Sequence, residues 1–373
     1  MARAVRKSVD ARSSAETGEA VEPRHAPGFD ARALFFEPRL EVRVWGGRKL
    51  ESFAKSLPED LPIGESWEVS DVPGKPSKVA RGSHSGTTLR RLMELHAGEL
   101  LGRKGAPAGS FPLLLKLLDA RQNLSVQVHP SDEDLLRQGL PPEGKTEAWI
   151  ILEAEPGARI VHGLAPGVTR SALLESLREA AGGALSGEEE AALFRWVPVT
   201  AGDIVFVPAG TVHAVGGGIV LLEVQQTSDI TYRLYDWGRP GTDGKPRALH
   251  IDEAARVLNE EALRCPWSKT ASFGTAGRGF ETLLDCDRFR VDLLVLDPAR
   301  GARTASASAS TRERGEGEFH ILAGLEGTAR YAAASGDSAE IARGLFALLP
   351  AALGDYTLEA LAGPAKVLRF LGT

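Results

Sequence analysis

The stretch KLLDARQNLSVQVH, Lys116 to His129, decides how the rest of the chain is read. From Asn123 to His129, apolar Leu124, Val126 and Val128 alternate with polar Asn123, Ser125, Gln127 and His129. Side chains on a strand repeat with a period of two, so Gln127 and His129 leave the same face about 6 to 7 Å apart. Two such side chains on one wall are spaced as a pair of ligands. Taken alone, the heptapeptide reads as an amphipathic strand with its polar face in water. The residues on either side decide against that.

Just upstream, FPLLLKLL, Phe111 to Leu118, is an apolar run broken by Lys116, either a snorkelling edge residue or a charge aimed at a pocket. Downstream, Ser131 caps a short helix, and EGKTEAWIIL, Glu143 to Leu152, turns into a strand with Lys145 and Glu147 two apart, hence on one face. An exposed, charged strand start is the alternative there. Between Gly202-Asp203 and Pro208-Ala209-Gly210, two turn signals, lies the strand IVFV, and His213 follows. Gln127, His129, Glu147 and His213 therefore stand on strands of one sheet system. Two imidazoles, a carboxylate and an amide oxygen suit zinc or another first-row divalent ion, with a position left for water or substrate. The remaining histidines, His25, His84, His96, His162, His250 and His320, have no comparable partners and read as surface or core residues.

The rest of the chain reads mainly as β-structure. Order should begin near Leu34, with a short strand ending in a turn at Trp45-Gly46-Gly47 and a second strand over Gly64 to Asp71. Thr87 to Gly102 has helical spacing, opened by a Thr cap and closed by Gly. Two amphipathic stretches between Val168 and Trp196 form a small helical insert, either a lid over a site or static packing. Many short strands separated by Gly and Pro turns predict a jelly-roll barrel. From Ser272 onward the chain reads as strands again. The spacing of Gly202, Pro208 and His213 recurs in Gly344, Pro350 and Asp355, which predicts a second, degenerate barrel without a metal. The expected organisation is a disordered extension over 1–30, a metal-binding domain over 31–268 with its insert at 168–196, and a degenerate β-domain over 269–373.

Composition narrows the functional classes. The 373 residues are 43% hydrophobic and 25% charged, enough for a sizeable core in two domains. A net charge of -6 argues against nucleic acid as a partner, whose binders carry a basic stripe. No apolar run approaches the roughly eighteen residues that span a membrane. The two cysteines, Cys265 and Cys286, have neither disulfide-framework nor zinc-site spacing and read as buried thiols of a reducing, cytoplasmic protein.

PLLLKLLDARQNLSVQVHP, GKTEAW, VPAGTVHAV and LLEVQQTSDITYRLYDWGR together resemble the type I mannose-6-phosphate isomerases, in particular their shorter bacterial members, from about Leu34 to the C-terminus. The resemblance implies the cupin fold: two jelly-roll barrels with a small helical lobe. It implies an isomerase of a small-molecule sugar phosphate, monomeric or homodimeric, with one divalent metal ion, zinc, held by Gln127, His129, Glu147 and His213. By the same resemblance Arg233 matches the catalytic arginine. Lys116, Lys145, Glu223 and Asp229 fall on polar active-site positions, and Trp45 on a pocket aromatic. One departure is Asp71-Val72, where the family more usually has His-Pro.

The residues agree with that chemistry. Aldose–ketose interconversion moves a proton between C2 and C1 through an enediolate whose charge must be stabilised. Thr231, Arg233 and Tyr235 share strand parity, so Arg233 points into the pocket if the other two do. A guanidinium does not give up its proton, so Arg233 is a clamp and not a base. Glu223, Lys145 or a water on the ion are all open as the base. No Gly-rich loop receives the phosphate, which leaves cations at the pocket mouth, with Lys116, Lys145 and Arg239 as candidates. Two rivals use the same residues: a cupin dioxygenase with iron in the pocket, and a non-catalytic sugar-phosphate-binding cupin.

Overall fold

The long apolar runs become central strands because both of their faces are covered. In the computed structural model, which describes residues 28–102, 109–180, 182–259, 280–298, 303–305 and 318–372, strand Leu113–Ala120 pairs antiparallel with Ile219–Gln226 and with Ile63–Val69. The six-stranded sheet runs in the order Arg39–Gly47, Ile63–Val69, Leu113–Ala120, Ile219–Gln226, Glu147–Ala154, Ile204–Val207. A five-stranded sheet faces it: Tyr232–Tyr235, Val126–Val128, His213–Val215, Arg159–Leu164, Phe194–Pro198. Leu118, Trp149, Ile151 and Leu221 of the first sheet pack on Ile160, Val197 and Val215 of the second. On its outer face, Leu113, Leu115, Leu117, Val220 and Leu222 share a core with Val291, Leu293, Ile321, Leu368 and Phe370 of the C-terminal barrel. Each such buried side chain contributes about 1.5–3 kcal/mol. Being buried on both sides explains why FPLLLKLL looks continuously apolar, with Lys116 on the inner-face parity of Leu118 and Ala120.

The C-terminal half repeats the plan. The strands Glu281–Asp285, Phe289–Leu296, Ala365–Gly372, His320–Glu326 and Phe346–Leu349 form one sheet, and Arg303–Ala305, Tyr356–Ala360, Thr328–Ala333 and Ser338–Ala342 form the other. Leu294, Leu322 and Val367 meet Tyr331, Ile341 and Leu358 between them. Gly202 and Gly344 both adopt a positive φ, 92° and 77°, and both lead two residues later into strands ended by Pro208 and Pro350. The chain is thus mainly β, built from two jelly rolls.

A helical lobe closes the open side of the smaller sheet. Helix Arg170–Glu179 is capped by Thr169, and helix Gly187–Leu193 carries a capping box from Ser186 and Glu189. Leu173, Leu177 and Leu193, with Ala254 and Val257 of helix Ile251–Val257, bury Val126, Val128 and Leu234. This settles the strand part of the heptapeptide: Val126 and Val128 lie under the lobe and Gln127 lines the barrel interior, while Leu124, ahead of the strand, packs inward with Trp45 and Trp149.

Four local expectations are corrected. Trp45-Gly46-Gly47 is not a turn but the end of strand Arg39–Gly47, where the register slips against Ile63–Val69. Its glycine serves close approach, since a Cβ at Gly46 would collide with the backbone of Gly64. The second amphipathic stretch is helical only to Leu193, and Phe194–Pro198 is a strand paired with Arg159–Leu164. Thr231, Arg233 and Tyr235 do not share a face, because a bulge between Arg233 and Tyr235 sets Tyr235 opposite Val126. The Tyr235 ring turns into the lobe, where its hydroxyl accepts from Leu185 N at 2.9 Å. Finally, Cys286 is half-buried and not buried, while Cys265, His25 and residues 1–27 of the expected extension lie outside the described residues. No helix among the described residues is long and apolar enough to cross a membrane.

Candidate active site

Register brings the candidate residues together. Glu223 lies opposite Lys116 on one side and Trp149 on the other, and Glu147, the first residue of its strand, lies opposite Gln225 and Val207. On the facing sheet Gln127 is flanked by His213 and Arg233. These strands enclose a cavity of about 410 Å³ lined by Trp45, Lys116, Gln127, Lys145, Glu147, His213, Glu223, Asp229 and Arg233 among others. His129, one residue past strand Val126–Val128, completes the deep end. Its Nε2 is 3.4 Å from Glu147 Oε2, and His213 Nε2 is 3.4 Å from Glu147 Oε1.

Both imidazoles are set to offer a lone pair inward. His129 Nδ1 is 2.8 Å from the carbonyl of Ile230, and His213 Nδ1 is 2.9 Å from that of Thr211. A carbonyl only accepts, so each Nδ1 carries the proton and each Nε2 keeps its lone pair, which at His129 accepts from Lys145 Nζ at 3.1 Å. Burial pulls the His213 imidazole down to about 3, and burial together with the Lys145 charge pulls His129 well below its ordinary value, so both rings stay neutral.

This donor set fits a metal ion. His129, Glu147 and His213 offer ligand atoms that all lie within 4.8 Å of one another, and all three residues are buried. Ligands about 2.0–2.2 Å from a tetrahedral zinc stand roughly 3.3–3.6 Å apart, close to the two imidazole–carboxylate spacings. Oε2 of Glu147 is buried without a well-directed hydrogen bond among the described residues, even though Lys145 Nζ stands 2.5 Å away. Gln127 Nε2 lies 3.4 Å from His129 Nε2 and 3.2 Å from His213 Nε2, and turning the amide over presents its oxygen to the same point.

Two lysines and a second carboxylate adjoin this cluster. Lys145 Nζ is 3.2 Å from Glu223 Oε1, and Lys116 Nζ is 3.5 Å from Glu223 Oε2 and 5.0 Å above the Trp67 ring. Burial alone lowers the Lys145 ammonium, but Glu147 and then Glu223 outweigh it, and the net shift is upward: Lys145 stays charged. Glu223 moves the other way for a carboxylate. Burial raises it, against the pull of Lys116 and Lys145. Neither Lys116 nor Lys145 is at the mouth, since both are about 5% exposed or less.

Guanidiniums stand where the cavity opens. Arg43, Arg233 and Arg247 all line it, and Arg43 and Arg247 are about a quarter exposed. Arg233 Nη1 donates to Ala248 O at 2.8 Å, while its Nε is buried without a partner among the described residues. Arg239, expected here, is not in the lining. It pairs with Asp236 at 3.0 Å, because the chain turns at Trp237 and Gly238 and carries it past the cavity. Asp229 is on the rim, 2.7 Å from Lys75 Nζ. No described residue of 168–196 lines the cavity, and the insert packs on the smaller sheet and does not cover the site.

Sequence reading missed Arg43, Glu65 and Arg247. Arg43 is two residues before Trp45 on the same strand, a signal hidden by reading Trp45 as part of a turn. Glu65, buried, accepts from Arg43 Nε at 2.8 Å and Trp67 Nε1 at 2.7 Å. Arg247 follows a loop and carries no local signal.

The second barrel has the same positions with other chemistry. Glu147 opposes the last residue of Ile204–Val207, and His320 likewise opposes the last residue of Phe346–Leu349. Counting across the sheet sets Arg369 where the first barrel has Glu223, and Asp292 where it has Lys116. The charges are exchanged, and Arg369 Nη2 still pairs with Asp292 Oδ2 at 2.6 Å. Asp355, the counterpart of His213, is exposed, and Tyr356 beside it turns inward to His320 Nδ1 at 3.0 Å. Among the described residues the only three-residue cluster fit for a metal is that of the first barrel.

The chain is similar to known proteins along most of its length. Residues 34–141 match the family profile of phosphomannose isomerase type I, catalytic domain. Mannose-6-phosphate isomerase ManA of Bacillus subtilis is 36% identical over 331 residues, 87% of this chain and 95% of that one. Mannose-6-phosphate isomerase of Streptococcus mutans is 39% identical over 229 residues, 61% of this chain and 68% of its own length. The crystal structure of a mannose 6-phosphate isomerase from Bacillus subtilis superposes with a TM-score of 0.73 at 28% identity, over 91% of this chain and 99% of the other. A putative mannosephosphate isomerase from Archaeoglobus fulgidus shares the fold, with a TM-score of 0.69 over 93% of this chain and 100% of its own, at 22% identity.

Proposed function

The chain belongs to the type I mannose-6-phosphate isomerase family and is an aldose–ketose isomerase, and on that premise we propose that its cavity interconverts mannose 6-phosphate and fructose 6-phosphate through an enediolate, with one bound divalent ion, zinc. The observation that carries this reading is the buried His129–Glu147–His213 cluster with both imidazole lone pairs turned inward. Gln127 is its fourth member. Bound there, the ion would supply Lewis acidity toward the oxygens on C1 and C2.

The chain's own groups supply the rest. Glu223 is the residue that takes the proton from one carbon and returns it to the other: burial raises its carboxyl, which brings a carboxylate's basicity toward neutral pH. Lys145 does not serve as that base, because Glu147 and Glu223 keep it protonated. It donates instead to the oxygen on which charge develops, and its ammonium holds Glu223 in place. Lys116 holds the other oxygen of Glu223.

Arg233 is the clamp for the developing oxyanion, with a buried Nε that has no partner among the described residues. Trp45 forms an apolar wall, and Asp229 accepts from a sugar hydroxyl at the rim. Arg43 and Arg247 receive the phosphate at the open end of the cavity, where a planar fork matches phosphate oxygens.

A coupled assay converting fructose 6-phosphate to mannose 6-phosphate tests the reading. Turnover that disappears with chelation and returns with zinc supports it. A cavity that binds sugar phosphate without turnover would make this a binding protein, and oxygen uptake on a sugar substrate would make it a dioxygenase.

A further inference from the structure

Asp236 does not line the cavity, yet it grips a residue that does. It is 6% exposed, directly after strand Tyr232–Tyr235. Its Oδ2 accepts from Arg247 Nε at 2.6 Å, and its Oδ1 accepts from Arg247 Nη2 at 2.5 Å and from Arg239 Nη2 at 3.0 Å. The two bonds to Arg247 form a fork that fixes the plane of the guanidinium as well as its position.

Asp236 is itself held. Trp237 has φ 62°, a left-handed conformation that a bulky residue adopts only when its surroundings enforce it. Its Nε1 donates to Leu124 O at 2.8 Å, and its ring lies 5.0 Å from that of Tyr235 and 5.9 Å from that of Trp196. Gly238, also at φ 62°, has no room for a Cβ against Ala184. Residues 236–238 are thereby fixed between Leu124, a cavity residue, and the helical lobe.

Electrostatics give the same residue a second task. Arg233 feels Arg247, Arg239 and Arg43 as repulsive neighbours, and Asp236 is the carboxylate that opposes them. Without it, guanidiniums gathered at one end of a cavity would spread apart.

We propose that Asp236 is a positioning residue: it presets the Arg247 guanidinium on the cavity wall for the substrate's phosphate, and the left-handed Trp237, wedged against the lobe, keeps Asp236 in place. This rests on the reading of the cavity as a sugar-phosphate site. Preset geometry removes an ordering cost from binding, so its loss falls mainly on KM.

The test compares Asp236→Asn, Asp236→Glu, Arg247→Lys and the double variant Asp236→Asn/Arg247→Lys in the zinc-loaded enzyme. The readouts are kcat and KM for fructose 6-phosphate and the inhibition constant of inorganic phosphate. Asp236→Asn is expected to raise KM and the phosphate inhibition constant by about tenfold or more, and by more than kcat falls. Arg247→Lys, which keeps the charge and loses the fork, is expected to do the same. The double variant is expected to be no worse than the worse single one, because both remove one interaction. Asp236→Glu should recover part of the loss. Independent, multiplying losses in the double variant, or a fall in kcat with KM and the phosphate constant unchanged, would overturn the inference. If Asp236→Asn does not fold, wild-type KM in Arg247→Lys overturns it alone. A wild-type enzyme that turns over no sugar phosphate defeats the reading of the cavity instead.

Discussion

Replacing Lys145 with methionine probes the deep end of the cavity most sharply. Lys145 is 4% exposed and is the nearest cation to two buried carboxylates, Glu147 at 2.5 Å and Glu223 at 3.2 Å. Lys116 still neutralises Glu223 at 3.5 Å, so the variant leaves about one carboxylate without a counter-charge. Removing one partner of a buried ion pair costs about 3–5 kcal/mol. With an unfolding entropy of roughly 2.1 cal/mol/K per residue, a loss of that size lowers the Tm of a single cooperative unit this long by about 4–6 °C. A divalent ion beside Glu147 replaces the missing charge. Lys145→Met should therefore be strongly destabilised when metal-free and gain more from zinc than the wild type does. Differential scanning fluorimetry of both proteins, stripped and zinc-loaded, reads this directly. A metal-free Tm within about 1 °C of wild type, or equal zinc shifts in the two proteins, would refute the charge accounting.

Two further outcomes follow from the same geometry. Arg233→Ala should lower kcat by about a hundredfold or more, on the order of 3–4 kcal/mol of transition-state stabilisation, and a change confined to KM would instead make Arg233 a ground-state binding residue. His320, whose imidazole burial and the charges of Arg369 and Arg290 bring down to about 3, is neutral in the folded chain, whereas the unfolded chain takes up a proton below about 6.5. Its contribution is therefore complete above pH 6.5 and lost as pH falls toward 3, at up to about 1.4 kcal/mol per pH unit. Between pH 6.5 and 5, His320→Gln should lose about 2 kcal/mol less than the wild type in denaturant titrations, and parallel curves would contradict it.

What the sequence made legible was what depends on local period and spacing. The alternation holds from Val126 to His129, because Val126 and Val128 had the lobe to bury them and Gln127 and His129 a cavity, and it breaks at Leu124, which packs inward ahead of the strand. Lys145 and Glu147 kept their parity because the strand that begins at Glu147 buries Ala148 and Ile150 in the core shared with the C-terminal barrel and turns its other face to the cavity, and the Gly–Pro spacing found the second barrel through its turns. What stayed hidden depends on events without a local signature. A bulge after Arg233 sent Tyr235 to the opposite face, and the close approach of Gly46 to Gly64 looks in sequence like a turn. Arg247 and Arg239 are both cations just past the same strand, and only the path of the chain through Trp237 and Gly238 tells them apart. The exchanged charge pair of Asp292 and Arg369 is visible only once the registers of the two barrels are set side by side.

The claim on which the rest depends is that His129, Glu147 and His213, with Gln127, hold one divalent ion that turnover requires. The most direct measurement is elemental analysis together with isomerase activity on the same samples of the wild type and Glu147→Gln, as purified and after chelation and zinc return. The expected result is close to one equivalent of metal per wild-type chain, with activity following the metal content, and little of either in Glu147→Gln. Full turnover by a wild-type sample shown to be free of metal, or an undiminished equivalent of metal in Glu147→Gln, would contradict it.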